Sequence, residues 1–302
     1  MTQAVRLENA TGHGSMLPVE VFPGVQVIYN DFQMGSYLSD YRATEPYFCI
    51  DHCKEGRIGQ PTGRGAYLYT SAGDLKVDDR SRHTGEFSFP LGHYHGLTIA
   101  IELGRGAASI AAAMHGFPVD LATLSAKYCV AGRPFIVHAV PTVEHIVAEI
   151  YAVPVAIRRP YLQLKVLELL LFLDALDISG AAAEKPYFYR AQVEKVRAAH
   201  ERMLTDLAAD LTVADLAAEV GLSLTTFKAC FKGVYGLPPF AYLRTSRINR
   251  AAVLLRDPGR SVAEIGLAVG YDSPSKFASA FRQIIGSSPA EYRARLTRPP
   301  AP

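Results

Sequence analysis

Between residues 20 and 104 the apolar positions come in short, β-rich runs. Val25-Gln26-Val27-Ile28-Tyr29, Tyr47-Phe48-Cys49-Ile50-Asp51-His52-Cys53, Ala66-Tyr67-Leu68-Tyr69-Thr70 and Leu97-Thr98-Ile99-Ala100-Ile101 are the clearest. Gly and Pro separate them at short intervals, a spacing that suits a small antiparallel barrel or sandwich. From Gly106 the period becomes that of a helix. The pattern predicts helices over about Ala107–Met114, Asp120–Tyr128 and Val143–Tyr151. A fourth, Tyr161–Leu176, follows Pro160 and places Val166, Leu169, Leu170, Leu173 and Leu176 at helical spacing. The segment Ile178–Pro186 breaks the pattern, and almost everything beyond it reads as helix. The expected architecture is α+β. A β-rich, barrel-like domain with helices occupies residues 1–177, a linker 178–190, and an all-α domain 191–302.

The helical C-terminal part contains a repeat. Val213, Leu216, Val220 and Gly221 match Val262, Ile265, Val269 and Gly270 at an offset of 49. Phe227, Phe231, Lys232, Gly236, Pro239 and Tyr242 match Phe277, Phe281, Arg282, Gly286, Pro289 and Tyr292 at an offset of 50. The extra residue falls in Tyr271-Asp272-Ser273, where an insertion joins matching helices at a turn. In the first copy Thr212 can cap a short helix that Gly221 ends, and Ser223 can cap a second helix, from Leu224 to about Tyr235. Phe227 and Phe231 share the buried face of that second helix. Thr225, Thr226, Lys228, Ala229 and Lys232 occupy much of the remainder. In the second copy Ser261 and Ser273 are the caps, with Gly270 and Gly286 at the stops. A short helix packed across a second one, whose outer face is small, polar and basic, suits the DNA major groove.

Charge bears on this only when divided. The 302 residues carry 31 Lys and Arg against 29 Asp and Glu, a net +2 that points to no polyanion. Residues 1–190 hold 16 basic and 19 acidic groups, whereas residues 222–302 hold 12 and 4, a net +8. The positive excess coincides with the repeat, as a DNA partner requires. With 49% apolar and 20% charged residues, disorder is excluded. The longest apolar stretch, Val166–Leu176, is too short to span a bilayer, and no signal-peptide pattern opens the chain. Four cysteines form no disulfide framework, so reduced thiols in a cytoplasm are expected. No phosphate-binding Gly-rich loop, dinucleotide fingerprint or Gly-x-Ser-x-Gly elbow is present, so no catalytic residue, cofactor or metal is assigned.

The repeat resembles the AraC/XylS family of bacterial transcription regulators. The resemblance is carried by Val262-Ala263-Glu264-Ile265-Gly266, Val269-Gly270-Tyr271, Ser275-Lys276-Phe277, Phe281-Arg282, Gly286 and Ser288-Pro289-Ala290-Glu291-Tyr292-Arg293. The first copy adds Phe227, Phe231-Lys232, Gly236, Tyr242-Leu243 and Arg247, so about residues 193–296 are covered. The resemblance implies two helix-turn-helix units joined by a long helix, about Pro239–Leu255, with recognition helices entering successive major grooves. It makes Thr225, Lys228 and Ala229, and Pro274, Ser275 and Ser279, base-facing candidates. It puts Lys232 and Arg282 near phosphates. Many members have arginine where this chain has Ala229 and Ser279, so Lys228 and Lys276 are expected to contribute instead.

In the N-terminal half, Cys53-Lys54-Glu55-Gly56-Arg57, Ala72-Gly73-Asp74-Leu75, Phe89-Pro90-Leu91-Gly92-His93-Tyr94-His95-Gly96 and Tyr161–Leu170 resemble the sensor domain of the siderophore-responsive, pyochelin-regulator-like branch of that family. That implies a small-molecule effector, a siderophore or another ligand. Tyr67, Tyr69, His93 and His95 are the candidate ligand contacts, with Phe87 as a further aromatic. His93-x-His95 on a strand would put two imidazoles on one face, and Cys49-x-x-His52-Cys53 would split its groups over two faces; neither makes a complete metal set. The helix Tyr161–Leu176 is apolar on nearly all sides and fits burial or a homodimer interface. The expected protein is a ligand-responsive regulator, partnered by promoter DNA, an effector, a second copy and, if it activates, RNA polymerase, with no membrane partner. Two other readings stay open: a metal-dependent cupin-like enzyme fused to a DNA-binding domain, and a constitutive DNA-binding protein whose N-terminal half dimerises.

Overall fold

The computed structural model describes residues 3–39, 45–62, 65–82, 85–130, 134–138, 140–178 and 187–297. They form two compact units, Met1–Tyr187 and Phe188–Pro302. Residues 179–186 of the expected linker lie outside the described residues.

In the first unit β1 (Val5–Asn9), β2 (Gly12–Phe22), β3 (Val25–Met34), β4 (Ser36–Ser39), β5 (Tyr47–Thr62), β6 (Ala66–Ser71), β7 (Leu75–Asp79), β8 (Gly85–Ser88) and β9 (Tyr94–Glu102) precede α1 (Leu103–Ala113) and α2 (Leu121–Tyr128). Then come β10 (Phe135–Val137), α3 (Pro141–Ala152) and α4 (Arg158–Ala175). The strands are antiparallel in the order β1-β2-β3-β9-β5-β6, with β7 also against β5, and β8 pairing with β4 and β5. Among the described residues no pairing returns from the far strands to β1, so the sheet stays open. The expected barrel is corrected to an open, bent sheet. The bend is built into β5, whose register slips between Cys53 and Glu55. Gly56 follows at φ +81°, with its Cα so near the His93 carbonyl that a Cβ would meet the oxygen at 2.3 Å. Ahead of the bulge β5 pairs with β7; beyond it, with β6.

The period of two decides what each face holds. Val25, Val27, Phe48, Ile50, Leu75, Val77, Leu97, Ile99 and Ile101 pack with Ile110, Leu124, Ile146, Ile150, Val166 and Leu169 of the helices into one core. The intervening Asn30, Asp51, Lys76, Asp78 and Thr98 are also buried, on the opposite face. Next to them Phe32, Met34, Cys53, Phe89 and Tyr94 form a second, aromatic cluster. α1 begins at Leu103, four residues before the expected start, because β9 runs straight into it and Gly104 and Gly106 dilute the apolar period. α4 begins at Arg158 and so contains Pro160 in its first turn, where proline costs no helical hydrogen bond.

The second unit is helical: α5 (Arg190–Thr205), α6 (Val213–Glu219), α7 (Leu224–Tyr235), α8 (Pro239–Leu254), α9 (Val262–Ala268), α10 (Pro274–Ile285) and α11 (Pro289–Thr297). The repeat is therefore α6–α7 and α9–α10, joined by α8. Ile248, Ala251 and Leu255 of the joining segment pack with Ile265, Val269, Phe277 and Phe281.

Candidate nucleic-acid interface

The helix starts and stops are fixed locally, by the same chemistry in both copies. Thr212 and Asp215 form a capping box at α6, and Ser261 and Glu264 form another at α9. Ser223 accepts from the Thr226 N–H at 3.2 Å, and Ser273 accepts from the Lys276 N–H at 3.4 Å. α7 and α10 end on Gly236 and Gly286, both at φ +84°. Phe227, Phe231, Phe277 and Phe281 are fully buried and hold each second helix by its inner face.

Of the expected DNA-facing residues, all but Thr226 remain outward. On α7 Thr225, Lys228, Ala229 and Lys232 are exposed at positions i, i+3, i+4 and i+7, a single stripe. Thr226 is half-buried, and its hydroxyl accepts from Ser223 Oγ at 2.8 Å, so it serves the cap. On α10 Pro274, Ser275, Lys276, Ser279 and Arg282 are all exposed. Lys276 lies 3.8 Å from Asp272, and Arg282 lies 3.9 Å from Glu291; both are exposed pairs of little energetic weight.

Two arginines of α8 organise the space between the two helix-turn-helix copies. Arg247 donates to three backbone carbonyls: from Nε to Leu207 at 2.7 Å, from Nη2 to Ala209 at 3.2 Å and from Nη1 to Gly270 at 3.2 Å. The loop before α6 and the turn between α9 and α10 are thus tied to one guanidinium. Arg244 donates to Gln283 of α10 and borders an open groove of about 540 Å³ with Ser275, Lys276 and Ser279. Sequence reasoning missed Arg244; its one signal was a second arginine three residues before Arg247, one helical turn away.

The N-terminal ligand candidates are not gathered into one site. Tyr67 and Tyr69 sit on β6, buried, with ring centroids 6.2 Å apart. His93 lies in the turn before β9, with Nδ1 3.1 Å from the Leu91 carbonyl oxygen. His95 lies on β9, edge-on to the Tyr151 ring at 5.6 Å. His52 also faces Tyr151, its Nδ1 3.4 Å from the phenol oxygen, and burial lowers its pKa to about 4. A cavity of about 320 Å³ opens instead on the other face of the sheet. It is bordered by Phe32, Phe87, Phe89, Tyr94, Lys76 and Arg80, among others, and none of the four candidates lines it. Phe87 is the expected aromatic that does. Cys49 also borders the cavity, and burial pushes its thiol up to about 12.

Comparison with known proteins bears on the second unit. Residues 216–295 match the family model described as a helix-turn-helix domain. An AraC-like transcription regulator of Streptomyces lividans is 40% identical over 31% of this chain and 31% of its own length. The transcriptional regulator ExsA of Pseudomonas aeruginosa is 36% identical over 27% of this chain and 29% of its own. The chain thus matches about three-tenths of the length of these curated relatives. Among solved structures, the DNA-binding domain of the regulator AdpA, in complex with a target DNA, is 34% identical and covers 35% of this chain and 98% of that one, with a TM-score of 0.33. The C-terminal segment is an AraC-type helix-turn-helix domain. α7 and α10 carry Ala229 and Ser279 rather than arginine, so bidentate contact to guanine is not available from those positions. No helix among the described residues is long and apolar enough to cross a membrane.

Proposed function

We propose that the chain is a ligand-responsive transcription regulator that binds promoter DNA through α7 and α10. The observation that carries this reading is the duplicated unit. In it, burial, capping and glycine stops consume the inner residues and leave Thr225, Lys228, Ala229 and Lys232, and Pro274, Ser275, Lys276, Ser279 and Arg282, on the outside. Lys232 and Arg282 neutralise phosphates. Lys228, Lys276 and the small residues face base edges. The first unit senses the effector, a siderophore or another small molecule as the resemblance implies. Effector binding shifts the regulator only in so far as it favours one arrangement over another.

A second copy is the expected partner of the first unit. On α4 Leu162, Val166, Leu169, Leu170 and Leu173 are buried, whereas Leu164 and Leu171, seven residues apart, are 65% and 40% exposed. That outward apolar pair is the proposed dimer contact. RNA polymerase is a further partner if the protein activates.

The test is affinity for a site selected from random DNA, measured by anisotropy across salt. Affinity should fall roughly 10³-fold or more between 50 and 200 mM salt if about six phosphates are contacted. Lys232→Ala should weaken binding on all sequences alike and lower the salt slope by about 1. Binding that ignores salt would sink the phosphate model.

A further inference from the structure

We infer that the cavity of the first unit takes an uncharged, flat, ring-bearing small molecule that presents a hydrogen-bond acceptor to Arg80. The inference rests on the sensing role proposed above and names the chemistry of its ligand.

One end of the cavity is aromatic. Phe32 and Phe89 stack with centroids 4.9 Å apart, and Phe89 and Tyr94 stack at 5.7 Å. The rings are inclined to one another by only 16° and 22° and pack together as one aromatic wall of the cavity. An aromatic wall favours a guest that carries a ring, whose flat face or edge pairs with it. The volume of about 320 Å³ sits at the small end of the roughly 300–1,000 Å³ of small-molecule sites, room for one or two rings.

The other end is charged but balanced. Lys76 Nζ lies 3.0 Å from Asp51 and 2.9 Å from Asp78, and it also donates to Gln60. Its three donors are spent. Arg80 Nη2 donates to Asp51 and reaches Asp78 at 3.4 Å. Asp51 further accepts from Thr98 Oγ1 at 2.6 Å. Burial alone would raise Asp78, but Lys76 and Arg80 beside it, with hydrogen bonds from Lys76 and Gln60, hold its carboxyl down to about 2. Two cations thus face two carboxylates, and the group is neutral.

That balance discriminates among ligands. A ligand carboxylate would add an unmatched negative charge beside two buried ones. A ligand cation would meet carboxylates already paired. Either charge costs its desolvation without a counter-ion. One buried donor of this group has no acceptor among the described residues, Arg80 Nε. A buried N–H without a partner is rare and costly, and a carbonyl or ether oxygen on a neutral ring satisfies it without disturbing the charge count.

Equilibrium dialysis of the full chain tests this, with coumarin and 2-quinolone as neutral two-ring probes and coumarin-3-carboxylate as the charged counterpart. The neutral probes should bind at one per chain and raise Tm by at least about 2 °C when saturating. The carboxylate should bind at least tenfold more weakly. Arg80→Lys keeps the positive charge and removes the Nε donor, and it should weaken coumarin about tenfold. If that variant misfolds, Ala100→Leu, which fills the cavity from β9, should abolish binding. Equal or tighter binding of the carboxylate would overturn the uncharged class while leaving a ligand-responsive regulator standing. Failure of both neutral probes to bind a chain that still holds its selected DNA site would overturn the cavity assignment alone.

Discussion

The two helix-turn-helix units share one grammar but sit in different surroundings. Their caps, buried phenylalanines and glycine stops correspond position by position. Their turns do not. In the first unit Gly221 adopts φ +62°, and the nearest atom to a Cβ placed there is Lys195 Nζ, at 3.5 Å. In the second, Gly270 adopts φ +84°, and the same Cβ would lie 2.7 Å from the Leu207 carbonyl oxygen and 2.8 Å from Arg247 Cζ. Equivalent glycines therefore do different jobs. Gly221 supplies a left-handed residue; Gly270 supplies that and a close approach of two backbones to a guanidinium. Duplication preserves local structure, while tertiary position decides how much each residue matters.

The sharpest way to break this comparison is a pair of alanines. Gly221→Ala should cost about 1–2 kcal/mol, the strain of a left-handed L-residue. Gly270→Ala should cost at least about 3 kcal/mol, since it also displaces the Arg247 clamp. Urea unfolding of the two variants measures the gap. Equal costs would show that the clamp adds nothing to stability.

A smaller effect separates the units by pH. His200 of α5 stacks on Tyr235 of the first unit at 4.1 Å, with Nε2 3.0 Å from the Tyr242 hydroxyl oxygen. Burial lowers its pKa from 6.5 to about 4. The unfolded chain therefore binds this proton more readily than the folded one. Stability from this site is complete above about pH 6.5 and drains as pH falls toward 4. The loss between pH 7 and pH 5 should be about 1–2 kcal/mol. His200→Phe keeps the stack and removes the proton, so its unfolding midpoint should vary less over that range. The matching residues of the second copy, Asn249 and Arg250, carry no such group.

The smallest difference concerns DNA. Lys228 makes no ion pair among the described residues, whereas Lys276 shares its charge with Asp272. Lys228→Ala should cost about 1 kcal/mol on a selected site and change base preference at one position. Lys276→Ala should cost less. Competition binding against single-base variants of the site reads both, and an unchanged preference in Lys228→Ala would remove that side chain from the groove.

The helical part, Phe188–Pro302, was legible in the sequence because its signals are local. A Thr or Ser three residues before Asp or Glu, a glycine at a helix end and two phenylalanines four apart act within one turn. The β-rich part, Met1–Tyr187, was legible only in part. β2 went unread because Pro18 lies inside it. β1 pairs no further than Met16, so proline falls where one side of β2 makes no pairing. β7 went unread because Leu75-Lys76-Val77-Asp78 looks like a polar loop, although its charges are buried against Asp51, twenty-five and more residues away. The cavity escaped for the same reason. It is assembled from β2, β3, β4, β5, β7, β8 and β9 and the segments after β7 and β8, and nothing within one segment announces that Phe32 will meet Phe89. Of the aromatics named in advance, Phe87 lines it, whereas Tyr67 and Tyr69 belong to β6, which pairs with β5 beyond the bulge.

Arg247 has a consequence for the operator rather than for the protein. By holding the approach to one reading head and the turn of the other on a single side chain, it sets the phase between them. α8, at 16 residues, is about 24 Å of rigid rod, and its ends cannot rotate independently while the three carbonyls stay bound. The DNA must then supply both half-sites on the same face at one separation. A promoter with a single base pair inserted between them turns one half-site away by about a tenth of a helical turn, and the Arg247 bonds would have to break for the second head to follow it.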